Sequence, residues 1–418
     1  MRILMVSEDL PAIGMGGLAR HVLTLTRALV DAGHQVDLMG NDDVSISDAG
    51  EEFDIAGHFI PALHGQFEGW KELTLGCFVP FKRSMIAKRF AQAVLRRARH
   101  YDVIHYHGHL PNLAYFIPPD INFIQTRHDQ GSDCLIHTRF ARGQICRATD
   151  PAVCAGCRTE QPNRLQRSLS AIAVRQFRAE VAAGFRRHKT IFVSDFLRRN
   201  VARSLGPGPW GITVHNFVDS DHLRAARSLP RTAPPARSDP RLHVFIAAKL
   251  YPAKGVAQCL DALNAAPLKS WQRLQIDIAG DGPALDDLRA RFKPVNFKHV
   301  NFLGWQSGSD SLKLAANADV IIVPSVCEEA CASTVIEGLL LGKTVFALKL
   351  GGTPELEMYA SAPQQLRLFN SMQALVEGLL AFQAHADYTF APRTPISRAD
   401  TAGRLLALYR LAPGPITA

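Results

Sequence analysis

Apolar positions follow two rhythms along this chain. Some form short unbroken runs, and others recur every three or four residues over longer stretches, the marks of buried strands and of helices packed on them. The first run predicts a strand at Ile3–Ser7, followed by a glycine-bearing turn and a helix over Ala19–Ala32. Gly33 supplies the C-cap, and Val36–Met39 makes the next strand. Strand cores recur at Val103–His105, Phe123–Gln125 and Ile191–Val193. The pattern stops at Ser228–Arg241, SLPRTAPPARSDPR, where four prolines and no periodicity predict a linker. It restarts at His243–Ala247 and continues through Leu274–Ala279, Asn301–Leu303, Val320–Val323 and Thr344–Ala347, with helical segments between. Leu405, Leu406, Leu408, Tyr409 and Leu411 fall at helical spacing in a last segment, Ser397–Leu411, that must pack on something. Strands alternating with helices predict an α/β protein with a doubly wound parallel sheet in each half. The expected divisions are residues 1–220, a linker at 221–241, a second domain at 242–395 and a terminal helix at 396–418 that returns to the first domain. Binding then belongs at the carboxyl ends of the strands, in a cleft between the domains.

Composition agrees with this picture and adds a location. The 418 residues are 47% apolar and 20% charged, the balance of a globular protein. No run approaches the roughly 18 apolar residues of a membrane span. The opening MRILMV meets Ser7-Glu8-Asp9 at once, so it reads as a buried strand rather than a signal peptide, and a cytoplasmic protein is expected. The net charge of +9 is uneven. Lys82–Arg99 holds seven cations and no acid, with Ile86, Phe90 and Val94 on one helical face and Lys88, Arg89, Arg96 and Arg99 on another. A second basic run covers Arg164–Lys189. Such a helix is either a solvated surface or a dock for an anionic membrane, placing the protein at the inner face of the cytoplasmic membrane. Nucleic acid is not expected, because the basic stretches lack interleaved aromatics and a reading motif.

The candidate chemistry lies where strands exit into turns. In Pro324–Glu337, PSVCEEACASTVIE, Glu329 and Glu337 flank a turn of small residues, Ala330, Cys331, Ala332 and Ser333, that leaves backbone N–H groups able to face an anion or sugar. Thr334–Glu337 also fits a capping box, so Glu337 has a purely structural reading. Lys249 and Lys254 sit five apart on a loop after a strand and can converge on a diphosphate, or stay solvated. Ala279-Gly280-Asp281-Gly282-Pro283 and Gly351-Gly352-Thr353-Pro354-Glu355 are further strand exits that also read as plain turns. Gly14–Ala19 fits G-x-G-x-x-A, with Asp42 and Asp43 near the end of the next strand, and keeps a dinucleotide-dependent oxidoreductase as a competitor.

A longer series of motifs falls in order along the chain. It comprises Gly16-Gly17 with Arg20-His21-Val22, Gly33-His34-Gln35-Val36, Asp102-Val103-Ile104-His105 and Asn216-Phe217-Val218-Asp219. The Lys249/Lys254 loop, Gly280-Asp281-Gly282-Pro283, Phe302-Leu303-Gly304, Ala318-Asp319, Pro324-Ser325, the Glu329/Glu337 pair and Gly351-Gly352 complete it. Over nearly its whole length the chain resembles a retaining glycosyltransferase of family 4. That resemblance implies a GT-B fold, two Rossmann-like doubly wound parallel-sheet domains facing across a cleft. It implies that Lys249, usually arginine in the family, and Lys254 bind the diphosphate of a nucleoside-diphosphate sugar, and that Glu337 holds the ribose. Glu329 would orient the donor sugar with Cys331, Ala332 and Ser333, with Gly282 on the donor side and Gly16 and Gly17 at the donor–acceptor mouth. His128, in Thr126-Arg127-His128-Asp129, would stand near the reacting sugar. Catalysis would fall to His128, Glu329 and Lys254, with no cofactor beyond the co-substrate, and the acceptor would be a glycan or lipid-linked saccharide in cell-surface polysaccharide or lipopolysaccharide synthesis. A sugar-nucleotide 2-epimerase shares the architecture and stays open. Two departures stand out: the family's E-G-F-G is Glu329-Ala330-Cys331-Ala332, which leaves donor choice open, and its N-G-V-D is Asn216-Phe217-Val218-Asp219.

Four of the eight cysteines cluster at Cys134, Cys146, Cys154 and Cys157, the last two as C-x-x-C. In a cytosolic protein that spacing suggests a structural zinc, ordinary thiols or a redox pair, and the sequence leaves all three open. Cys77, Cys259, Cys327 and Cys331 read as isolated small residues.

Overall fold

A computed structural model describes residues 1–10, 16–41, 58–63, 79–158, 163–217, 220–228, 241–267, 272–293, 299–383, 390 and 398–416. Gly14, Met15, Asp42, Asp43, Cys77, Val218, Asp219 and residues 229–240 of the expected linker lie outside them. The chain divides into two units, one formed by Met1–Ala141, Cys146–Phe217 and Arg398–Ala418, the other by Val218–Ser397 with Arg142–Ile145.

In the first unit the strands are β1 (Arg2–Val6), β2 (Gln35–Asn41), β3 (Phe59–Leu63), β4 (Val103–His107), β5 (Phe123–Arg127), the two-residue β6 (Phe140–Ala141), β8 (Lys189–Phe192) and β9 (Ile212–Thr213), while the two-residue β7 (Gln144–Ile145) falls in the segment grouped with the second unit. Seven of them form a sheet in the order β3-β2-β1-β4-β5-β8-β9, and its pairings are parallel. Ile3, Leu4, Met5 and Val6 are all fully buried, because alternate side chains meet different layers. Ile3 and Met5 pack with the helices Gly17–Asp31 and Arg398–Tyr409. Leu4 and Val6 pack with Ile86, Phe90 and Val94 of the helix Val79–Leu95. A continuous apolar run is what a strand covered on both faces requires.

The second unit repeats the plan with β10 (Leu242–Ala247), β11 (Leu274–Ala279), β12 (Val300–Gly304), β13 (Val320–Val323), β14 (Thr344–Leu348) and β15 (Leu366–Phe369). Their order is β12-β11-β10-β13-β14-β15, again with parallel pairing. Val244 and Ile246 join the core beneath the helices Val256–Asn264 and Met372–Ala381. Phe245 points the other way, into the core of Leu312, Val335, Ile336 and Leu339. In each sheet the chain steps out along one side and returns to the other, so the order reverses between β1 and β4 and between β10 and β13. At such a point neighbouring strand exits lead in opposite directions and leave a crevice at the carboxyl edge.

The last helix, Arg398–Tyr409, belongs to the first unit and is tied there by polar bonds. The hydroxyl of the fully buried Tyr409 lies 2.6 Å from His105 Nδ1, and His105 Nε2 lies 2.8 Å from Thr126 Oγ1. Asn122 Nδ2 donates to the Tyr409 carbonyl at 2.8 Å, and Lys189 Nζ to that of Leu411 at 3.0 Å. Burial pushes His105 down to about 3, so its ring is neutral and both nitrogens are engaged. Removing the hydroxyl in Tyr409→Phe leaves a buried ring nitrogen unpaired and should cost about 1–3 kcal/mol in urea unfolding. An unchanged midpoint would show that the bond does not help hold the terminal helix.

Candidate functional site

At the β10/β13 reversal two strand exits are stitched together by backbone. The amides of Val326 and Cys327 both donate to the Ala253 carbonyl, at 3.0 and 3.2 Å. Gly255 sits at φ +70°, and a β-carbon there would overlap the Pro324 carbonyl oxygen. The β14 exit joins them, for Gly352 N donates to the Glu329 carbonyl at 2.7 Å while Gly351, at φ +60°, lies against the Glu328–Glu329 backbone. Both positions combine a left-handed backbone with a contact that leaves no room for a side chain. The β11 exit is tied in by Leu250 N to Asp281 O at 2.8 Å, which sets Gly282 beside Leu250.

This scaffold brings Lys254 and Glu329 together. Lys254 Nζ donates to Glu329 Oε1 at 2.5 Å, and Ser325 Oγ donates to the same oxygen at 2.6 Å. Burial disfavours both charges, yet the partner outweighs it: Lys254 is raised above its ordinary value and Glu329 lowered. Lys249 is exposed on the same loop. Glu337 lies partly buried in the helix Ser333–Leu340, whose N-cap is Ala332 and which no side chain caps. The capping-box reading of Thr334–Glu337 therefore fails, because the helix has already begun at Ser333 and its third position is Val335. Ala330 and Ala332 are buried and Ser333 exposed, so small residues in this turn answer to close packing.

The β1/β4 reversal carries different chemistry. His107 ends β4 and His128 follows β5, with His107 Nδ1 2.9 Å from His128 Nε2. His21, on the helix that Gly16 caps, sets its ring 5.0 Å from those of His128 and Phe217. Gly17 opens that helix, and a β-carbon there would meet only open space. Beside this group Asp129 takes His109 Nδ1 at 2.5 Å, with His137 Nδ1 at 3.2 Å and Arg127 Nη2 at 3.7 Å. The other His109 nitrogen lies 3.2 Å from Asp9. Burial opposes a charge on His109, but Asp9 and Asp129 together hold it well above the ordinary value. Burial alone carries His21 down to about 4, and it also sets His107 and His128 well below their ordinary values.

Comparison with known proteins gives this geometry its family. The profile of Glycosyltransferase Family 4 matches residues 15–222, and that of Glycosyl transferases group 1 matches residues 232–379. The chain is a family 4-like GT-B glycosyltransferase. Glycogen synthase of Mycobacterium tuberculosis is 25% identical over 374 residues, spanning 85% of this chain and 80% of that protein. Phosphatidyl-myo-inositol mannosyltransferase of Mycolicibacterium smegmatis is 24% identical over 363 residues, spanning 84% and 76%. The crystal structure of Anabaena HepE in complex with UDP-glucose has a TM-score of 0.59 at 16% identity, over 97% of this chain and 94% of that one, a likeness of fold.

Two expectations need correction in this glycosyltransferase. Cys134, Cys146, Cys154 and Cys157 do not assemble a zinc site: among the described residues, the groups with metal-ligand spacing are His21/His107/His128 and His109/Asp129/His137. Cys154 Sγ instead lies 3.2 Å from Arg178 Nη2, and burial pushes the Cys134 thiol up to about 11, away from the thiolate a metal needs. On the basic helix, Arg83 is not part of the charged surface, since it turns inward to the Leu135 carbonyl at 2.5 Å and His137 Nε2 at 2.7 Å. The histidine cluster went unread although it has a signal. His105, His107 and His109 alternate across the end of β4, and period two puts alternate residues on one face.

The Lys254–Glu329 pair also fixes a pH window. Glu329 is lowered, so its contribution is complete above its unfolded value near 4.5 and is lost as pH falls through the folded value. Lys254 is raised, so its share is complete below 10.5 and is lost only as pH rises beyond that. Glu329→Gln should destabilise the second unit by about 1 kcal/mol at pH 7, as for a partly exposed pair. The difference from the parent should shrink as urea melts are taken below pH 4.5. A difference independent of pH would mean that packing, not charge, was removed.

Proposed function

We propose that this glycosyltransferase moves a sugar from a nucleoside-diphosphate sugar to a hydroxyl of a saccharide or lipid-linked acceptor, with retention at the anomeric carbon. The observation that carries the reading is the Lys254–Glu329 pair at the β10/β13 reversal, next to a helix N-terminus that no side chain caps. Cleavage of the glycosidic bond sends negative charge onto the departing diphosphate. Lys254, Lys249 and the N-terminus of Ser333–Leu340 supply a positive field there before the bond breaks. A bound diphosphate takes over Lys254, and the Glu329 carboxylate then accepts from a donor-sugar hydroxyl, aided by the backbone of Cys331, Ala332 and Ser333. Glu337 holds the ribose, and Gly282 lets the nucleotide lie close to the β11 exit.

In the first unit, Gly17, next to the Gly16 N-cap, leaves open space for the reacting groups, and His128 positions the sugar as a neutral ring. The leaving phosphate takes the acceptor proton, so no carboxylate acts as a displacement nucleophile. HepE with UDP-glucose bound supports a nucleotide-sugar donor, and the M. smegmatis relative, named for a lipid acceptor, supports a lipid-linked one. These point to cell-surface polysaccharide or lipopolysaccharide synthesis. Lys82, Lys88 and Arg89 are exposed beside Phe81 and Met85, of which Met85 is 53% exposed, so the helix Val79–Leu95 offers apolar and cationic groups together to an anionic membrane. No described helix is long and apolar enough to cross one.

The test is transfer from a panel of nucleoside-diphosphate sugars to lipid-linked saccharides, with the product anomer read by NMR. Lys254→Ala should lower transfer by on the order of a hundredfold or more while the circular dichroism spectrum is kept. Full activity in that variant, or an inverted anomer, would overturn the reading.

A further inference from the structure

One oxygen of Glu329 serves two donors. Lys254 Nζ reaches Glu329 Oε1 at 2.5 Å and Ser325 Oγ reaches it at 2.6 Å. The two differ in their freedom to move. The lysine ammonium ends a flexible four-carbon stem and can follow a nearby anion. The serine hydroxyl is one carbon from the backbone, on a buried residue that follows Pro324 at the β13 exit. That exit is clamped by the Val326 and Cys327 amides on the Ala253 carbonyl, so the hydroxyl cannot travel.

Glu329 is fixed mainly in its backbone. Its amide donates to the Cys327 carbonyl at 3.1 Å, and its carbonyl accepts from Gly352 N at 2.7 Å. Beyond the α-carbon its side-chain torsions remain, and the bonds from Lys254 and Ser325 select among their rotamers. Burial favours the neutral acid, but Lys254 first and Ser325 after it turn the balance toward the carboxylate. A hydrogen bond to an ionised acceptor is of the stronger kind.

A diphosphate that takes over Lys254 leaves the carboxylate with one of these two donors. We propose that Ser325 is the positioning residue of Glu329, its hydroxyl keeping the carboxylate aimed at the donor sugar after Lys254 has turned to the diphosphate. This role rests on the donor reading above and deepens it. A serine suits it because the hydroxyl is neutral. It adds no second cation to compete for the phosphates, and it leaves the charge of Glu329 to pair with Lys254 in the free chain.

Calorimetry on the full chain measures the ratio of its affinities for UDP-glucose and for UDP, or for the matching pair with whichever base supports transfer. That ratio isolates what the sugar contributes. Ser325→Ala should lower it by about tenfold, the scale of a hydrogen bond to a charged group. A general loosening of the loop would instead weaken both ligands alike and leave the ratio unchanged. In a Glu329→Ala background the same substitution should change the ratio no further, because a positioning residue acts only through the group that it positions. A parent ratio retained in Ser325→Ala, or a further tenfold loss in the Glu329→Ala background, would overturn the assignment while leaving the donor reading intact. A parent chain that binds none of these nucleotides would overturn the donor reading, and this role with it.

Discussion

The ion pair between Lys254 and Glu329 joins loops that follow β10 and β13, and the rest of the second unit's candidate site is arranged around it. Neither side chain finds the other by chance. The Ala253 carbonyl holds two amides of the β13 exit, and the Glu329 carbonyl holds the β14 exit through Gly352. Those contacts demand glycine at 255 and 351, where a β-carbon would strike backbone. Backbone approach comes first, and the charge geometry follows from it. Because the loops are cross-tied in the free chain, a diphosphate held there as proposed would need little further ordering.

The two units use one architecture for two kinds of chemistry. Each places its polar groups where the strand order reverses, at β1/β4 and at β10/β13. The second unit presents a cation matched by a carboxylate. The first presents neutral imidazoles flanked by an Asp9–His109–Asp129 chain in which the histidine carries the charge. Burial, with no carboxylate strong enough to offset it, holds the rings at 21, 107 and 128 below their ordinary values, whereas two carboxylates keep His109 protonated. Environment, rather than residue type, sets what each histidine does.

Much of this is legible in the sequence, and the gaps have physical reasons. Strands covered on both faces are unbroken apolar runs, so β1, β10 and β13 are plain in Ile3–Val6, Val244–Ile246 and Val320–Val323. The strands that went unread in the main sheets, β3, β9 and β15, all lie at sheet edges, where partial burial admits residues such as Pro61, Thr213 and Arg367. Lys254 and Glu329 could be singled out by their loops, but no spacing rule shows that they pair. The cysteine spacing misled because short sequence separation does not make thiols converge, and Cys154 is turned to Arg178. Phe217, where the family has glycine, packs its ring against His21, a reason for the substitution that only the fold reveals.

The central claim is that a nucleoside diphosphate is held by the loops that the Lys254–Glu329 pair joins. Hydrogen–deuterium exchange of the intact chain, with and without UDP and its counterparts with other bases, measures this directly. The account predicts that the nucleotide that binds slows exchange at residues 249–255, 327–337 and 351–353. Protection confined to the first unit, with those three segments unchanged, would contradict it.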